Sequence, residues 1–155
     1  MPLLNCAIYI AAIGLASNLI GPLLPKSWFC ADRFPFRSFS WEHGGSIYLK
    51  LRIRAWKDRV PDMSKITRRL YRKEVDLRPN AENLTRLIQE TCLAESVHAV
   101  LIVLSLAVTR IWRGVWGWLI WFLCILGNLP FMIIQRFNRP RLQHSLAHLQ
   151  RHKAE

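Results

Sequence analysis

The feature that most constrains this chain is a run of 22 residues without a charged side chain, from Gly114 to Gln135. A helix rises about 1.5 Å per residue, so a run of this length crosses the apolar core of a bilayer. Residues 1–25 form a second uncharged run, with neither a basic stretch before it nor a clear cleavage site after it. We expect both runs to be retained membrane-spanning helices. With a third, shorter apolar run they predict an all-α membrane protein in a single domain, residues 1–155, with three spans at about residues 3–24, 88–110 and 114–135.

The third apolar run has only 14 uncharged residues, from Ser96 to Thr109. A spanning helix needs roughly 20 residues, so this helix is expected to begin near Glu90 and to include Glu95 and His98. Ionisable side chains cost at least ~2–3 kcal/mol inside a bilayer, and they therefore tend to face a protein interior and to mark functional sites. The sequence thus points to Glu95 and His98 as the first candidates for a site.

The basic residues are distributed unequally around the three predicted spans. Fourteen of the 22 Lys and Arg residues lie in residues 26–78 and five in residues 136–153, whereas Arg110 and Arg113 lie between the second and third spans. Because Lys and Arg are enriched on the cytoplasmic side, we expect a multi-pass protein of the cell membrane with its N-terminus outside and its C-terminus in the cytoplasm. The net charge of +12 then reflects this topology and contact with anionic membrane lipid. We expect no nucleic-acid partner, because the chain shows no DNA- or RNA-binding motif.

Residues 26–80 form a long cytoplasmic segment that we expect to lie at the membrane interface, and residues 136–155 form a cytoplasmic tail. The first part of the segment is rich in Trp and Phe, which favour the headgroup level. From Ile47 to Lys57 apolar and basic residues alternate, and this pattern fits either a strand or an amphipathic interfacial helix. We favour a helix, because no second run offers a partner strand; a re-entrant segment within residues 28–60 is a further alternative. The basic stretch from Met63 to Lys73 either faces solvent and lipid or binds an anionic headgroup.

The ionisable residues of the second span offer a simple chemistry. On a helix, Thr91, Glu95 and His98 share one face, and a carboxylate one turn away can orient an imidazole and raise its basicity. Such a histidine can take a proton from a hydroxyl and return it to a leaving group, which is the minimum needed for acyl transfer. Glu90 projects from another side of the helix, and Asn128 of the third span could face the same cavity as His98. The alternative is a non-enzymatic membrane subunit or lipid-binding protein in which the Glu–His pair only fixes helix packing.

We expect no metal and no other cofactor. One histidine and one or two carboxylates on a single helix provide too few metal ligands. Three tail histidines share one helix face but lie beside Arg and Lys, which indicates a solvated surface; they are His144, His148 and His152. Four cysteines without metal-binding or redox spacing are expected to be free thiols. They are Cys6, Cys30, Cys92 and Cys124.

Four segments of the chain, taken in order, carry a family resemblance. They are Trp41–Tyr48, Ile53–Asp62, Glu90–His98, and the paired stretches Gly127–Pro130 and Gln135–Arg141. The part of the chain that they define, roughly residues 20–142, resembles the glycosyl-4,4'-diaponeurosporenoate acyltransferase family, small membrane proteins of carotenoid biosynthesis. The tail after Leu142 lies outside this pattern.

The resemblance implies transfer of a fatty acyl group to a sugar hydroxyl of a glycosylated carotenoid, a lipid-linked acceptor. By position, Glu90, Glu95 and His98 match the polar helix motif of the family, and Asn128 lies in its last motif. We expect His98 to act as the general base, Glu95 to orient it, and Asn128 to help hold the oxyanion.

The other matched positions are expected to bind substrate. They are Trp56, Lys57, Gln135, Arg136, Asn138 and Arg139. Guanidinium forks suit phosphate and carboxylate groups, so Arg136 and Arg139, with Lys57, are expected to bind the anionic headgroup or carrier of the acyl donor. Acyl-CoA, acyl-carrier protein and a phospholipid all fit as that donor.

Overall fold

The computed structural model describes residues 1–60 and 80–154, so the prediction for Met63–Lys73 lies outside the described residues. That part of the chain contains five α-helices: α1 (Pro2–Ile20), α2 (Ile53–Trp56), α3 (Ala81–Ser105), α4 (Val108–Ile111) and α5 (Val115–Ala154). Short 3₁₀ segments lie between α1 and α2, at Gly21–Leu23, Lys26–Trp28 and Ser40–Leu51, and the last of these is interrupted by a non-helical turn at residues 43–45. No strand occurs in residues 1–60 or 80–154, which confirms the all-α prediction. The alternating run from Ile47 to Lys57 forms no strand; it comprises the end of the Ser40–Leu51 segment and the single turn of α2, separated by Arg52 in a left-handed conformation.

Within the described residues, three helical stretches are long and apolar enough to cross a membrane. They are Pro2–Leu23, Ala81–Ile111 and Val115–His152. Large apolar side chains are exposed on the outer surfaces of these stretches, among them Leu15, Val103 and Phe122. Contiguous apolar surface of this kind is costly in water but matches lipid tails, so the fold is that of a membrane protein with three spanning helices.

The start of α3 follows from its capping residue. Asn80 has an extended backbone, and its side chain accepts a hydrogen bond of 2.7 Å from the backbone N–H of Asn83. Glu82 adds a negative charge in the first turn, where it interacts favourably with the helix dipole. The helix that carries Glu95 and His98 thus begins at Ala81.

The helix α5 is longer than its uncharged run. It continues without a break past Pro130 and Pro140 to Ala154, a length of 40 residues, or about 60 Å. The third predicted span and the predicted cytoplasmic tail are therefore parts of one helix.

The helices α3 and α5 pack side by side in opposite directions, and α1 packs on α3. Trp121 of α5 donates a hydrogen bond of 3.1 Å to the carbonyl of Ile102, and Tyr9 of α1 donates one of 3.0 Å to the carbonyl of Leu104. At the other end of α1, a Cβ on Gly21 would stand 3.4 Å from the side chain of Val97.

These contacts define a common level on the three helices. The end of α1 at Gly21 lies beside Val97, and Glu95 is paired with Arg136, the first charged residue after the uncharged run of α5. The uncharged parts of all three helices lie on one side of this level. Glu95 thus marks the edge of the apolar layer, and His98 lies about 4.5 Å, nearly one helical turn, inside it.

On the other side of this level, residues 24–60 wrap around the ends of α3 and α5 and form two apolar clusters. The first cluster joins this segment to α3, with the tail of α5 packed against it; its buried members are Phe29, Ala31, Phe36, Ile88 and Cys92. The second joins the segment to α5; its buried members are Tyr48, Ile53, Ile134 and Phe137. Apolar burial on both sides of the helix pair fixes the position of the segment.

Candidate active site

A buried ion-pair network lies between the two clusters, and Glu95 is at its centre. One carboxylate oxygen, Oε1, accepts a hydrogen bond of 2.7 Å from Nε of Arg136, and the other, Oε2, accepts one of 2.5 Å from Nη2 of Arg139. Glu95 is 5% exposed and Arg139 is 1% exposed. Removing charges from water carries a large free-energy penalty that only close pairing offsets. Glu95 and Arg139 can therefore be buried only because each is paired with the other.

Glu42, from the Ser40–Leu51 segment, extends the network. Both of its carboxylate oxygens accept hydrogen bonds from Nη1 of Arg136, at 2.8 and 2.9 Å. The hydroxyl of Tyr48 donates to Oε1, and the backbone N–H of Phe39 donates to Oε2 at 2.7 Å. Glu42 is 1% exposed. Glu42 and Arg136 lie 94 positions apart in the chain, so their ion pair depends on the complete fold.

The electrostatics of Glu42 and Tyr48 follow from this arrangement. Burial alone raises the pKa of the Glu42 carboxyl, but hydrogen bonds from Tyr48, Arg136 and the Phe39 backbone outweigh it and hold the pKa below its usual value. The pKa of the Tyr48 hydroxyl is raised, first by burial and then by its hydrogen bond to the Glu42 carboxylate. At neutral pH the pair is therefore a carboxylate that accepts a hydrogen bond from a neutral phenol.

The two arginines also bind backbone groups of the segment that precedes Glu42. Nη2 of Arg136 donates to the carbonyl of Pro35 at 2.6 Å, and Nη1 of Arg139 donates to the carbonyl of Phe36 at 2.6 Å. Arg139 further donates to the hydroxyl and the carbonyl of Thr91, at 2.9 and 3.1 Å. Within the described residues, no buried side-chain nitrogen or oxygen lacks a partner. The network thus ties the interfacial segment to α3 and α5.

His98 and Asn128 form a second polar group, inside the apolar layer. Nδ1 of His98 lies 2.8 Å from Oδ1 of Asn128, and the ring stacks on Phe131 with a centroid distance of 4.5 Å and an interplanar angle of 13°. Nδ2 of the same amide donates a hydrogen bond of 2.8 Å to the carbonyl of Cys124. The amide therefore has its nitrogen towards α5 and its oxygen towards the imidazole.

The structure distributes the predicted roles differently from the sequence. Thr91, Glu95 and His98 all contact α5, but Glu95 contacts the arginines, and the histidine is oriented by Asn128. Asn128 makes a hydrogen bond to the ring, and the orienting role of Glu95 stays a prediction. The amide nitrogen of Asn128 donates to a backbone carbonyl, and the oxyanion role of Asn128 also stays a prediction.

The remaining predicted site residues lie away from His98. Glu90 is on the surface and pairs with Lys26 at 3.6 Å and with Arg86 at 3.3 Å. Trp56 packs against the second apolar cluster and donates a hydrogen bond of 2.9 Å to the carbonyl of Leu51, and Lys57 lies 3.7 Å from Asp58. Two more are half-buried on α5, flanking the arginine pair; they are Gln135 and Asn138.

Sequence reasoning missed Glu42 and Tyr48. Three arginines within six positions, directly after an uncharged run, require nearby carboxylates if any of them is buried. Glu42 lies in a stretch of aromatic and glycine residues, and that context was an available signal for a buried carboxylate. No comparable signal in the sequence identifies Tyr48 as its partner.

Among the residues that the structure describes, no three His, Cys, Asp or Glu side chains are close enough together to hold a metal ion. The four cysteines are free, two of them buried and two half-buried. The polar groups gathered at the candidate site are the imidazole, the amide and the arginine–carboxylate network.

Comparison with known proteins identifies relatives of this chain. The model of the family described as glycosyl-4,4'-diaponeurosporenoate acyltransferase matches residues 25–148. A glycosyl-4,4'-diaponeurosporenoate acyltransferase from Staphylococcus aureus strain MRSA252 is 29% identical over 147 residues, which cover 94% of this chain and 88% of the relative. The proteins of the same name from strains bovine RF122 / ET3-1 and N315 are 29% and 28% identical over the same lengths. No solved structure is significantly similar to this chain.

Proposed function

This chain belongs to the glycosyl-4,4'-diaponeurosporenoate acyltransferase family and is an acyltransferase, and on that premise we propose that it moves a fatty acyl group onto a hydroxyl of a lipid-embedded acceptor, the sugar of a glycosylated carotenoid. The names of the S. aureus relatives specify a glycosyl carotenoid acid as the acceptor of those proteins. Three helices that are long and apolar enough to cross a membrane support a location in the lipid phase, in which such an acceptor dissolves. Its sugar would lie at the membrane edge, near the level of Glu95.

The observation that carries the mechanism is the contact between His98 and Asn128. Because the amide nitrogen donates to Cys124, the amide oxygen is the atom that faces Nδ1. Nδ1 must therefore carry the proton, and in the neutral ring the lone pair is on Nε2. An imidazole held in one tautomer by an amide oxygen is suited to act as a general base.

The transfer then proceeds through His98. Nε2 takes the proton of the acceptor hydroxyl as its oxygen attacks the acyl carbonyl carbon, so that a C–O bond forms and a tetrahedral intermediate results. The intermediate collapses with cleavage of the bond to the leaving group, and Nε2 returns the proton to that group. The Asn128 carbonyl stabilises the transient imidazolium through the Nδ1–H hydrogen bond.

The arginine–carboxylate network supports this centre without touching the reactants. Arg136 and Arg139 direct their donors to Glu42, Glu95 and backbone carbonyls, so we assign them a positioning role. They hold the interfacial segment over the end of the apolar layer, next to His98. Trp56, Lys57, Gln135 and Asn138 remain our candidates for contact with the sugar or the donor, which is acyl-CoA, acyl-carrier protein or a phospholipid.

We further propose that the N-terminus lies outside the cell and that the site faces the cytoplasmic leaflet. Most Lys and Arg residues belong to residues 26–78 and 136–153, and the described parts of both segments lie on the same side of the common level. The positive-inside rule assigns that side to the cytoplasm. Cysteine-accessibility labelling at exposed positions 113 and 151 tests this orientation.

The decisive experiment compares His98→Gln with His148→Gln, a substitution of an exposed histidine in the tail. Purified protein in lipid nanodiscs is supplied with glycosylated carotenoid and each donor in turn, and the acylated product is measured by mass spectrometry. We expect His98→Gln to lower kcat about 10²–10⁴-fold with an unchanged melting temperature, and His148→Gln to retain full activity. Full activity in His98→Gln would refute the base; equal losses of activity and thermal stability would show that the residue only supports packing.

A further inference from the structure

A cleft on the cytoplasmic part of α5 lies outside the site described above. It has a volume of about 540 Å³ and is lined by Gly44, Pro140, Arg141, His144 and Ser145. The side chains from α5 come from one stretch of one helix face, and the turn at Gly44 forms the opposite wall. We propose that this cleft is a phosphate-binding site, which takes the phosphodiester of an anionic phospholipid or the phosphate groups of a soluble acyl donor.

The guanidinium of Arg141 has different contacts from those of Arg136 and Arg139. Arg136 and Arg139, its neighbours in the chain, are neutralised by Glu42 and Glu95. Arg141 instead donates to the carbonyl of Phe137, and its guanidinium lies 3.5 Å from the centroid of the Phe137 ring. A carbonyl and a ring do not remove a full positive charge. The guanidinium carries five N–H donors in a planar fork, the geometry that suits a phosphate.

The charged side chains around Arg141 are mostly basic. Arg54 is close enough for the two positive charges to repel each other, and His144 lines the same cleft. The carboxylate nearest in the chain to the cleft wall, Glu42, is bound to Arg136 and Tyr48. Asp32 accepts a hydrogen bond from Gln143, which is two positions from Arg141 and so on the opposite side of the helix. Arg141, Arg54 and His144 thus bring basic groups together here, which is favourable once an anion binds.

The backbone of the turn at residues 43–45 lies close to Arg141. His43, Gly44 and Gly45 have φ values of +46°, +63° and +83°, a left-handed run that is unfavourable for His43. A Cβ on Gly45 would stand 3.3 Å from the carbonyl oxygen of Arg136 and 3.5 Å from Nη1 of Arg141. Strained backbone is retained where it serves a site, and here it forms one wall of the cleft.

The position of the cleft favours a lipid phosphate as the occupant. Arg141 is five residues, or about 7.5 Å, beyond the level of Arg136, which is the depth of the headgroup layer next to the apolar core. Arg141 also lies 13 positions after Asn128, roughly 140° away around the helix, so a ligand here is on another face of α5 from His98. The Ser40–Leu51 segment, which contributes Gly44 to the cleft, also has exposed apolar and basic side chains such as Leu49 and Lys50. Such side chains are suited to the membrane–water interface.

The test measures binding rather than turnover, so it is independent of the proposed reaction. Nanodisc-embedded protein is titrated with phosphatidylglycerol, with neutral phosphatidylcholine and, in a separate arm, with coenzyme A; retained ligand is counted by native mass spectrometry. We expect Arg141→Gln to weaken binding of the phosphate ligand about tenfold. Arg54→Gln, which changes an exposed side chain without a packing role, is expected to weaken it less. The control is Arg113→Gln, the same change of charge just before the start of α5 and far from the cleft.

The outcomes separate the two sources of phosphate. Binding of phosphatidylglycerol that depends on Arg141 identifies a lipid site, and binding of coenzyme A with the same dependence identifies a donor site. Equal affinity of wild type, Arg141→Gln and Arg54→Gln for both ligands overturns the proposal. His98→Gln is expected to bind phosphate normally, so loss of catalysis and loss of this site are distinguishable.

Discussion

Asn128 links the imidazole of His98, on α3, to the backbone of α5. Its side-chain amide makes one hydrogen bond of 2.8 Å to the ring and another of 2.8 Å to the carbonyl of Cys124. The amide cannot turn over without losing both bonds, because its nitrogen would then face Nδ1–H. A single side chain therefore selects the tautomer of His98 and fixes the ring against Phe131. This relationship gives the first prediction.

Asn128→Leu is expected to reduce kcat by about 10–100-fold, because the ring loses the partner that holds its proton on Nδ1. Asn128→Asp keeps an oxygen acceptor at the same position and is expected to recover part of the loss. Steady-state kinetics of the two variants, with melting temperatures as the control for folding, check this. Identical activity of the two variants would argue against selection of the tautomer by Asn128.

Glu95→Gln is expected to affect stability more than catalysis. The variant leaves Arg136 and Arg139 short of a charge partner in a buried network, which costs about 3–5 kcal/mol. Because the His98–Asn128 contact does not depend on Glu95, kcat of the protein that remains folded should stay within a few-fold of wild type. Thermal unfolding and kinetics below the lowered melting temperature measure the two effects. A loss of kcat as large as that of His98→Gln, at unchanged stability, would restore the orienting role to Glu95.

Glu42 predicts a loss of stability in acid. Its pKa is lower in the folded protein than the usual value of 4.5, so its contribution is present above that pH and is lost as the pH falls through the folded pKa. We expect the melting temperature of wild type to fall below about pH 4.5. Glu42→Gln is expected to be less stable at pH 7 by about 3–5 kcal/mol and to show a flatter acid profile. Parallel profiles of the two proteins would contradict this.

Tyr48 predicts an effect at the alkaline end. Its pKa is raised in the folded protein above the usual value of 10.0, so its contribution is complete below pH 10 and is lost as the pH rises from there towards the folded pKa. Tyr48→Phe removes a hydrogen bond to a charged group, and is expected to lower stability by about 1.5–3 kcal/mol at pH 7. The difference from wild type should shrink above pH 10, as followed by thermal unfolding. A constant difference up to pH 11 would show that ionisation of Tyr48 is not linked to unfolding.

The adjacent glycines Gly44 and Gly45 form a matched pair. An alanine at either position must adopt a positive φ, which costs about 1 kcal/mol. At Gly44 a Cβ meets nothing within 4 Å, whereas at Gly45 it meets the Arg136 carbonyl at 3.3 Å. Gly45→Ala is therefore expected to lower the melting temperature clearly more than Gly44→Ala. Equal effects would indicate that the turn can move away from α5.

Much of the fold could be predicted because it follows from local patterns. The uncharged runs of α1 and α5 determine two spans by length alone, and Asn80 marks the start of α3 by its capping chemistry. The helical face of Thr91, Glu95 and His98 follows from spacing. What spacing cannot provide is the choice of partner on the other helix.

That choice was decided by electrostatics between distant parts of the chain. A buried carboxylate gains more from two guanidinium groups than from a neutral imidazole, so Glu95 pairs with Arg136 and Arg139. Glu42 pairs with Arg136 from a distant segment of the chain, in which a left-handed turn follows it directly. Neither the turn nor the 94-residue separation leaves a periodic signal in the sequence, so the pairing of Glu42 with Arg136 was not predictable, although the surroundings of Glu42 in the sequence indicate a buried carboxylate.

The unbroken course of α5 has a consequence for how this chain can vary. Asn128 and Arg139 are eleven residues apart, close to three whole helical turns, which is why both side chains meet α3. Inserting one residue between them would swing the arginine pair by about 100° and separate it from Glu95 while leaving the amide in place. Related sequences should therefore keep this interval at a fixed length, even where the amino acids within it differ.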